Sequence, residues 1–133
     1  MEQNFNQSST LSVLVATQDE AVKRQVLNVL EKKEYPVVVA HDCEQVLEYL
    51  LDRDFDVVIF DPSIKELEGS DAIKLIKRLR PQLPLVVLAD ESSYETSIKI
   101  AQAGVYFRLF KPLDTEITKE LIASLEGKVR SQS

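Results

Sequence analysis

The sequence is poor in glycine, histidine and cysteine. Its 133 residues hold three glycines, one histidine, one cysteine and no tryptophan. Three scattered glycines (Gly69, Gly104, Gly127) leave neither a dinucleotide fingerprint nor a phosphate-cradling loop. His41 has no partner at metal-ligand spacing and reads as a surface residue. Cys43 by itself excludes an internal disulfide, which suits a reducing compartment. Basic charge is also short: the net charge is -6 and no basic stripe appears, which argues against nucleic-acid binding by this domain. No apolar run approaches the roughly 20 residues of a membrane span. The opening MEQNFNQSST lacks the basic start and apolar stretch of a signal peptide. A cytoplasmic protein is the expectation.

What is present is alternation. Short apolar runs stand at Leu11–Ala16, Pro36–Ala40, Val57–Phe60, Pro84–Ala89 and Val105–Phe110. The middle three are nearly continuous and valine-rich, as in parallel strands covered on both faces. Between and after them run five helical stripes: Val22, Val26, Val29, Leu30; Val46, Leu47, Leu50, Leu51; Ala72, Ile73, Ile76, Leu79; Tyr94, Ile98, Ala101; and Ile117, Leu121, Ile122, Leu125. Asp42 with Gln45 and Ser92 with Glu95 have capping-box spacing. Ser70 and Asp114 are placed to cap the third and fifth helices, and Gly104 to close the fourth. The expected fold is α/β: a doubly wound (βα)5 sandwich of three layers, with a five-stranded parallel sheet between two layers of helices. The domain is expected over residues 11–129, with a disordered N-terminal tail at 1–10 and a C-terminal tail at 130–133.

In such a sheet the functional crevice lies beyond the carboxyl ends of the strands. The third strand runs straight into a carboxylate, in FDVVIFDPS. Asp61 is therefore either a turn residue or a site residue. The fifth strand runs into Lys111-Pro112, and the fold can bring that lysine to Asp61. Taken alone, such a pair is more often structural than chemical.

Together these features resemble the receiver domain of bacterial response regulators, over roughly residues 11–127, and the resemblance implies its flavodoxin-like fold with strand order 2-1-3-4-5. Asp61 matches the family's phosphoacceptor, Gly69 its loop glycine, and Lys111-Pro112 its lysine before a usually cis proline. The AQAG run, Ala101–Gly104, also fits. Asp42 stands where the family writes Asp-Gly, with Cys43 in the glycine's place. Other positions depart from the family. Its pair of magnesium-holding acids is Thr17 and Gln18 here. Its hydroxyl residue ending the fourth strand is Ala89, its aromatic switch residue is Arg108, and its loop proline is Lys65.

The losses have physical consequences. Magnesium favours carboxylate ligands, and two are missing. Phosphoryl transfer needs its charge neutralised and held in line. A methyl at Ala89 cannot hydrogen-bond a phosphoryl group. Arg108 is expected to carry its charge outward rather than swing into the core. The acids Asp19 and Glu20 are expected in the first turn of the helix, where the dipole favours them.

The resemblance implies a two-component phosphorelay receiver, and two readings of it stand. In one, the domain is a pseudo-receiver that needs no cofactor. It then docks signalling proteins, a histidine kinase or an effector, with Tyr106 and Arg108 as contacts. A homodimer through helix 4, strand 5 and helix 5 belongs to the same reading. In the other, a histidine kinase phosphorylates Asp61, Lys111 binds the phosphate, and Mg2+ sits on Asp61 with Asp19 or water. In a third, the crevice binds a small ligand without covalent chemistry. None involves a membrane.

Overall fold

A computed structural model describes residues 11–62, 64, 69–89 and 106–132. The element order is β1 (Val13–Ala16), α1 (Glu20–Glu31), β2 (Val37–Ala40), α2 (Cys43–Asp52), β3 (Val57–Phe60), α3 (Gly69–Leu79), β4 (Leu85–Ala89), β5 (Phe107–Phe110) and α4 (Thr115–Gln132). The five strands form one sheet, parallel as the alternating apolar runs led us to expect and in the order β2-β1-β3-β4-β5 that the family resemblance implied. The expected helix over Tyr94, Ile98 and Ala101 lies outside the described residues, with Ser92, Gly104, Lys65 and the N-terminal tail.

Strand side chains alternate between two cores, because successive residues of a strand point to opposite faces. Val13, Val15, Val57 and Ile59 pack with Val22, Val26 and Leu30 of α1 and with Leu121 and Leu125 of α4. Leu14, Val58, Phe60 and Val87 pack with Val46 and Leu50 of α2 and with Ile73 and Ile76 of α3. Both faces of β1, β3 and β4 are therefore buried, which explains why these strands read as unbroken apolar runs.

Some expectations shift. Leu51 is not core but 68% exposed. The inward line of α2 runs through Cys43, Val46 and Leu50, and the next residue is turned about 100° away. Ile117 is also exposed, because Thr118 takes the inward place in the first turn of α4. The Thr118 hydroxyl donates to the Asp114 carbonyl at 2.8 Å and so tolerates burial. Asp19 is the N-cap of α1 rather than a first-turn acid; its Oδ1 accepts from the Ala21 and Val22 amides. Its neighbour Glu20 does lie in that turn. Glu20 is held below the usual carboxylate range, first by a hydrogen bond from Lys23. α3 begins at Gly69, so Ser70 lies within the helix rather than capping it. α4 runs on to Gln132, so residues 130–132 are helical rather than a tail. No proline interrupts that stretch.

α1 ends in a tight reversal. The Glu34 amide donates to the Glu31 carbonyl and the Tyr35 amide to the Leu30 carbonyl, the bond pair of a Schellman motif. The motif needs a left-handed residue, and Glu34 takes it at φ 59. A side chain there crowds its own backbone, and glycine does not. Glu34→Gly is expected to raise the unfolding free energy by roughly 0.5–1 kcal/mol, the strain relieved less the extra chain entropy lost. A urea midpoint that falls instead would show that Glu34 is unstrained.

Candidate functional site

The site is built by the sheet's own ladder, which continues one residue past each strand. The Thr17 amide donates to the Ala40 carbonyl at 3.1 Å, that of Asp61 to Ala16 at 2.8 Å, and that of Lys111 to Ala89 at 2.9 Å. Three backbones are thereby pinned at the carboxyl edge, and their side chains converge. The Lys111–Pro112 peptide bond is cis.

The convergence centres on Asp61, which is fully buried. Lys111 Nζ donates to Asp61 Oδ1 at 3.0 Å and to Oδ2 at 3.1 Å. The lysine side chain is 22% exposed, so the pair sits at the lip of the core. Thr17 Oγ1 donates to Asp61 Oδ2 at 2.8 Å. The same hydroxyl accepts from the Asp19 amide at 3.0 Å, which directs its one proton at the carboxylate. A buried charge costs free energy unless it is paired and hydrogen-bonded, and here both conditions hold. Asp61 also turns the chain: its carbonyl accepts from the Ile64 amide at 3.2 Å. The two readings of Asp61, turn and site, are thus combined in one residue.

Gln18 does not reach Asp61. Its Nε2 donates to the His41 carbonyl at 2.9 Å, while the His41 amide donates to Gln45 Oε1 at 2.7 Å. These bonds tie the loop after β1 to the loop after β2. Asp42 Oδ1 accepts from the Gln45 amide, so the sequence's capping pair is half realised: Gln45 serves His41 instead of Asp42. Asp19 is occupied at the helix cap. Ala89 ends β4 with its side chain buried. Arg108 is half-buried on β5, its guanidinium carbon 6.0 Å from the centre of the Phe110 ring. Among the described residues, no group of three or more His, Cys, Asp or Glu is placed to hold a metal ion.

Two contacts were missed in the sequence, the Thr17 hydroxyl on Asp61 and the Gln18 tie to His41. Thr17 was read only as a lost acid. The strand order already contained the signal. With β1 beside β3, the residues one step past each strand must be neighbours, and a hydroxyl beside a buried carboxylate has an obvious acceptor.

Comparison with known proteins agrees with this geometry. Residues 13–123 match the family model of the response regulator receiver domain. The chain is 36% identical over 92 residues, 69% of its length, to the transcriptional regulatory protein ZraR of Escherichia coli O157:H7. It is 27% identical over 125 residues, 94% of its length, to the DNA-binding transcriptional regulator NtrC of Azospirillum brasilense. These matches span only 20% and 25% of those two relatives. Among solved structures, a CheY-like response regulator receiver domain protein from Methanospirillum hungatei superposes with a TM-score of 0.83 at 21% identity, covering 93% of this chain and 99% of that one. The signal receiver domain of an HD domain-containing protein from Pseudomonas fluorescens gives 0.85 at 20% identity, covering 93% and 92%. At such identities the structural likeness speaks for the fold, and the family model for the lineage. An aspartate one residue past β3 and a lysine one residue past β5 meet at the carboxyl edge of the sheet, and the chain belongs to the response regulator receiver domains of two-component signalling.

Proposed function

We propose that this receiver domain acts as a protein-interaction module, with weak or no magnesium-dependent phosphorylation of Asp61. The observation that carries this reading is the Asp61 carboxylate, fully buried with both oxygens engaged by Lys111 and Thr17. Magnesium asks for several oxygen ligands, carboxylates above all. Among the described residues, one acid faces an ammonium and a hydroxyl that donates toward it. The donor set fits Mg2+ poorly, and no cofactor is assigned. Ala89 offers no hydroxyl to a phosphoryl group, and Arg108 rests near Phe110 instead of acting as an inward-turning aromatic. A modification shifts a conformational equilibrium only through differential contacts, and two such contacts are gone.

The interaction surface is then the β5 edge and α4. Tyr106, Phe107, Phe110 and Ile117 are exposed there. Tyr106 Oη lies 3.2 Å from Ser124 Oγ, and the Lys128 ammonium stands over its ring. Aromatic residues flanked by cations are the favoured chemistry of interface hot spots. The partners are signalling proteins, a histidine kinase or an effector, or a second copy through this edge, in the cytoplasm. Among the described residues no helix is long and apolar enough to cross a membrane. ZraR and NtrC are transcriptional regulators several times longer, and a receiver role within such a regulator accords with the matched region.

A working receiver is the second reading, favoured by the retained Asp61–Lys111 contact. Acetyl phosphate or beryllofluoride with Mg2+ separates the two, read by intact mass and by amide NMR shifts of wild type and Asp61→Asn. Little or no phosphoryl mass and unchanged spectra are expected in both proteins. Stoichiometric modification of the wild type alone, with shifts spreading to β5, would establish the working receiver.

A further inference from the structure

The acidic charge of this protein is gathered in one place. Residues 41–56 hold six acids and one arginine, a net -5 within a chain of -6. They comprise α2 and the segments flanking it. The inner face of the helix, Cys43, Val46 and Leu50, is spent on the core. Its outer face carries Glu44, Glu48 and Asp52, with Leu51 standing 68% exposed among them. A shallow groove of about 510 Å³ runs along this face, lined by Gln45, Glu48, Tyr49, Leu51 and Asp52.

Glu44 lies in the first turn and suits the helix dipole, but the rest of the pattern works against the helix. Glu44–Glu48 and Glu48–Asp52 are like charges at i,i+4 spacing, which repel. Asp52 sits in the last turn, at the negative end of the dipole, and that turn holds no basic residue. Among the described residues, no cation forms an ion pair with Glu44, Glu48 or Asp52. The neighbouring Arg53 instead lies over the Tyr49 and Phe55 rings, at 5.6 and 5.9 Å.

We infer that the outer face of α2 docks a protein segment that is basic and amphipathic, with an apolar anchor seated at Leu51. Charge complementarity selects this occupant. A second copy meeting the face about a two-fold axis would set acids against acids. Nucleic acid and anionic membranes are repelled by the same field. A helix bearing lysines or arginines around a leucine satisfies both the charge and the exposed apolar side chain. Leu51 and Asp52 close α2 at the sheet edge opposite Asp61, so the apolar anchor of this surface is separate from the Asp61 pocket and from the β5 edge. It stands whether or not Asp61 is phosphorylated.

The test uses the full chain and a synthetic helical peptide with lysines and one leucine on a single face. A control peptide carries glutamates for the lysines. Binding is followed by fluorescence anisotropy and mapped by amide NMR shifts. The basic peptide is expected to perturb α2, to bind more weakly as salt rises, and to outbind the control by at least about tenfold. Glu44→Gln/Glu48→Gln/Asp52→Asn should weaken binding about tenfold and Leu51→Ala about fivefold, with unchanged circular dichroism. The inference is overturned if binding is absent, is centred on β5 and α4, or is indifferent to Leu51→Ala. Self-association that Leu51→Ala abolishes would also overturn it, by giving the face to a second copy.

Discussion

Replacing Lys111 with methionine is expected to destabilise the protein by roughly 3 kcal/mol, about 10 °C in melting temperature. Methionine keeps the length and most of the volume, so the loss is of charge rather than packing. Asp61 would then be a buried carboxylate left with Thr17 but without its cation. Breaking a buried ion pair from one side costs about 3–5 kcal/mol. The lower end applies here, because Lys111 is partly exposed and water can approach its end of the pair. Asp61→Asn should cost less, since the ammonium left behind can turn to solvent while the amide still accepts from Thr17. The double variant Asp61→Asn/Lys111→Met should therefore be more stable than Lys111→Met alone. Urea unfolding of the four proteins at neutral pH measures the cycle. A loss under 1 kcal/mol for Lys111→Met would mean that Asp61 does not depend on its lysine, and the proposed role of the pair would fail.

Thr17→Asp/Gln18→Asp should make the stability of the protein depend on magnesium. Without metal, the change removes a hydroxyl that donates to Asp61 at 2.8 Å and sets a second carboxylate beside the first. Hydrogen bonds to charged groups are worth about 1.5–3 kcal/mol, so the metal-free variant should lose roughly 2 kcal/mol or more. It also loses the Gln18 tie to the His41 carbonyl. A divalent ion would relieve the repulsion by binding the folded state. At about 100 times its dissociation constant, such an ion stabilises by about 2.7 kcal/mol. Thermal unfolding with and without Mg2+ reads this directly. The variant's melting temperature should climb steeply with magnesium and the wild type's should scarcely move. Were the wild type to climb as far, the loss of two acids would not be what sets metal affinity, and the proposed pseudo-receiver would lose its foundation.

Particular residues show how much was legible beforehand. The run VVIF before Asp61 identified a doubly covered strand, and β3 is buried along its whole length. Val22, Val26, Val29 and Leu30 identified the inner face of α1 completely. Leu51 and Ile117 were misplaced because an apolar stripe gives a face only to within about one residue's turn. Neighbouring elements then decide which edge of the stripe is covered. Asp19 was placed one residue too deep, since acids suit both a cap and a first turn. Gln45 was paired with Asp42 by spacing, but the His41 amide lay nearer its oxygen.

The sequence by itself determined the parallel sheet and the edge at which Asp61 and Lys111 would emerge, while the order of the strands came from the resemblance to a family. Apolar periodicity and the handedness of crossovers are local properties, and they leave few arrangements open. Only the tertiary structure decided what surrounds Asp61. Thr17 and Asp61 are 44 residues apart, and Lys111 lies 50 beyond Asp61. Their meeting depends on three strands ending in register. Which oxygen a hydroxyl or an ammonium then reaches is a matter of tenths of an ångström, which no local pattern encodes.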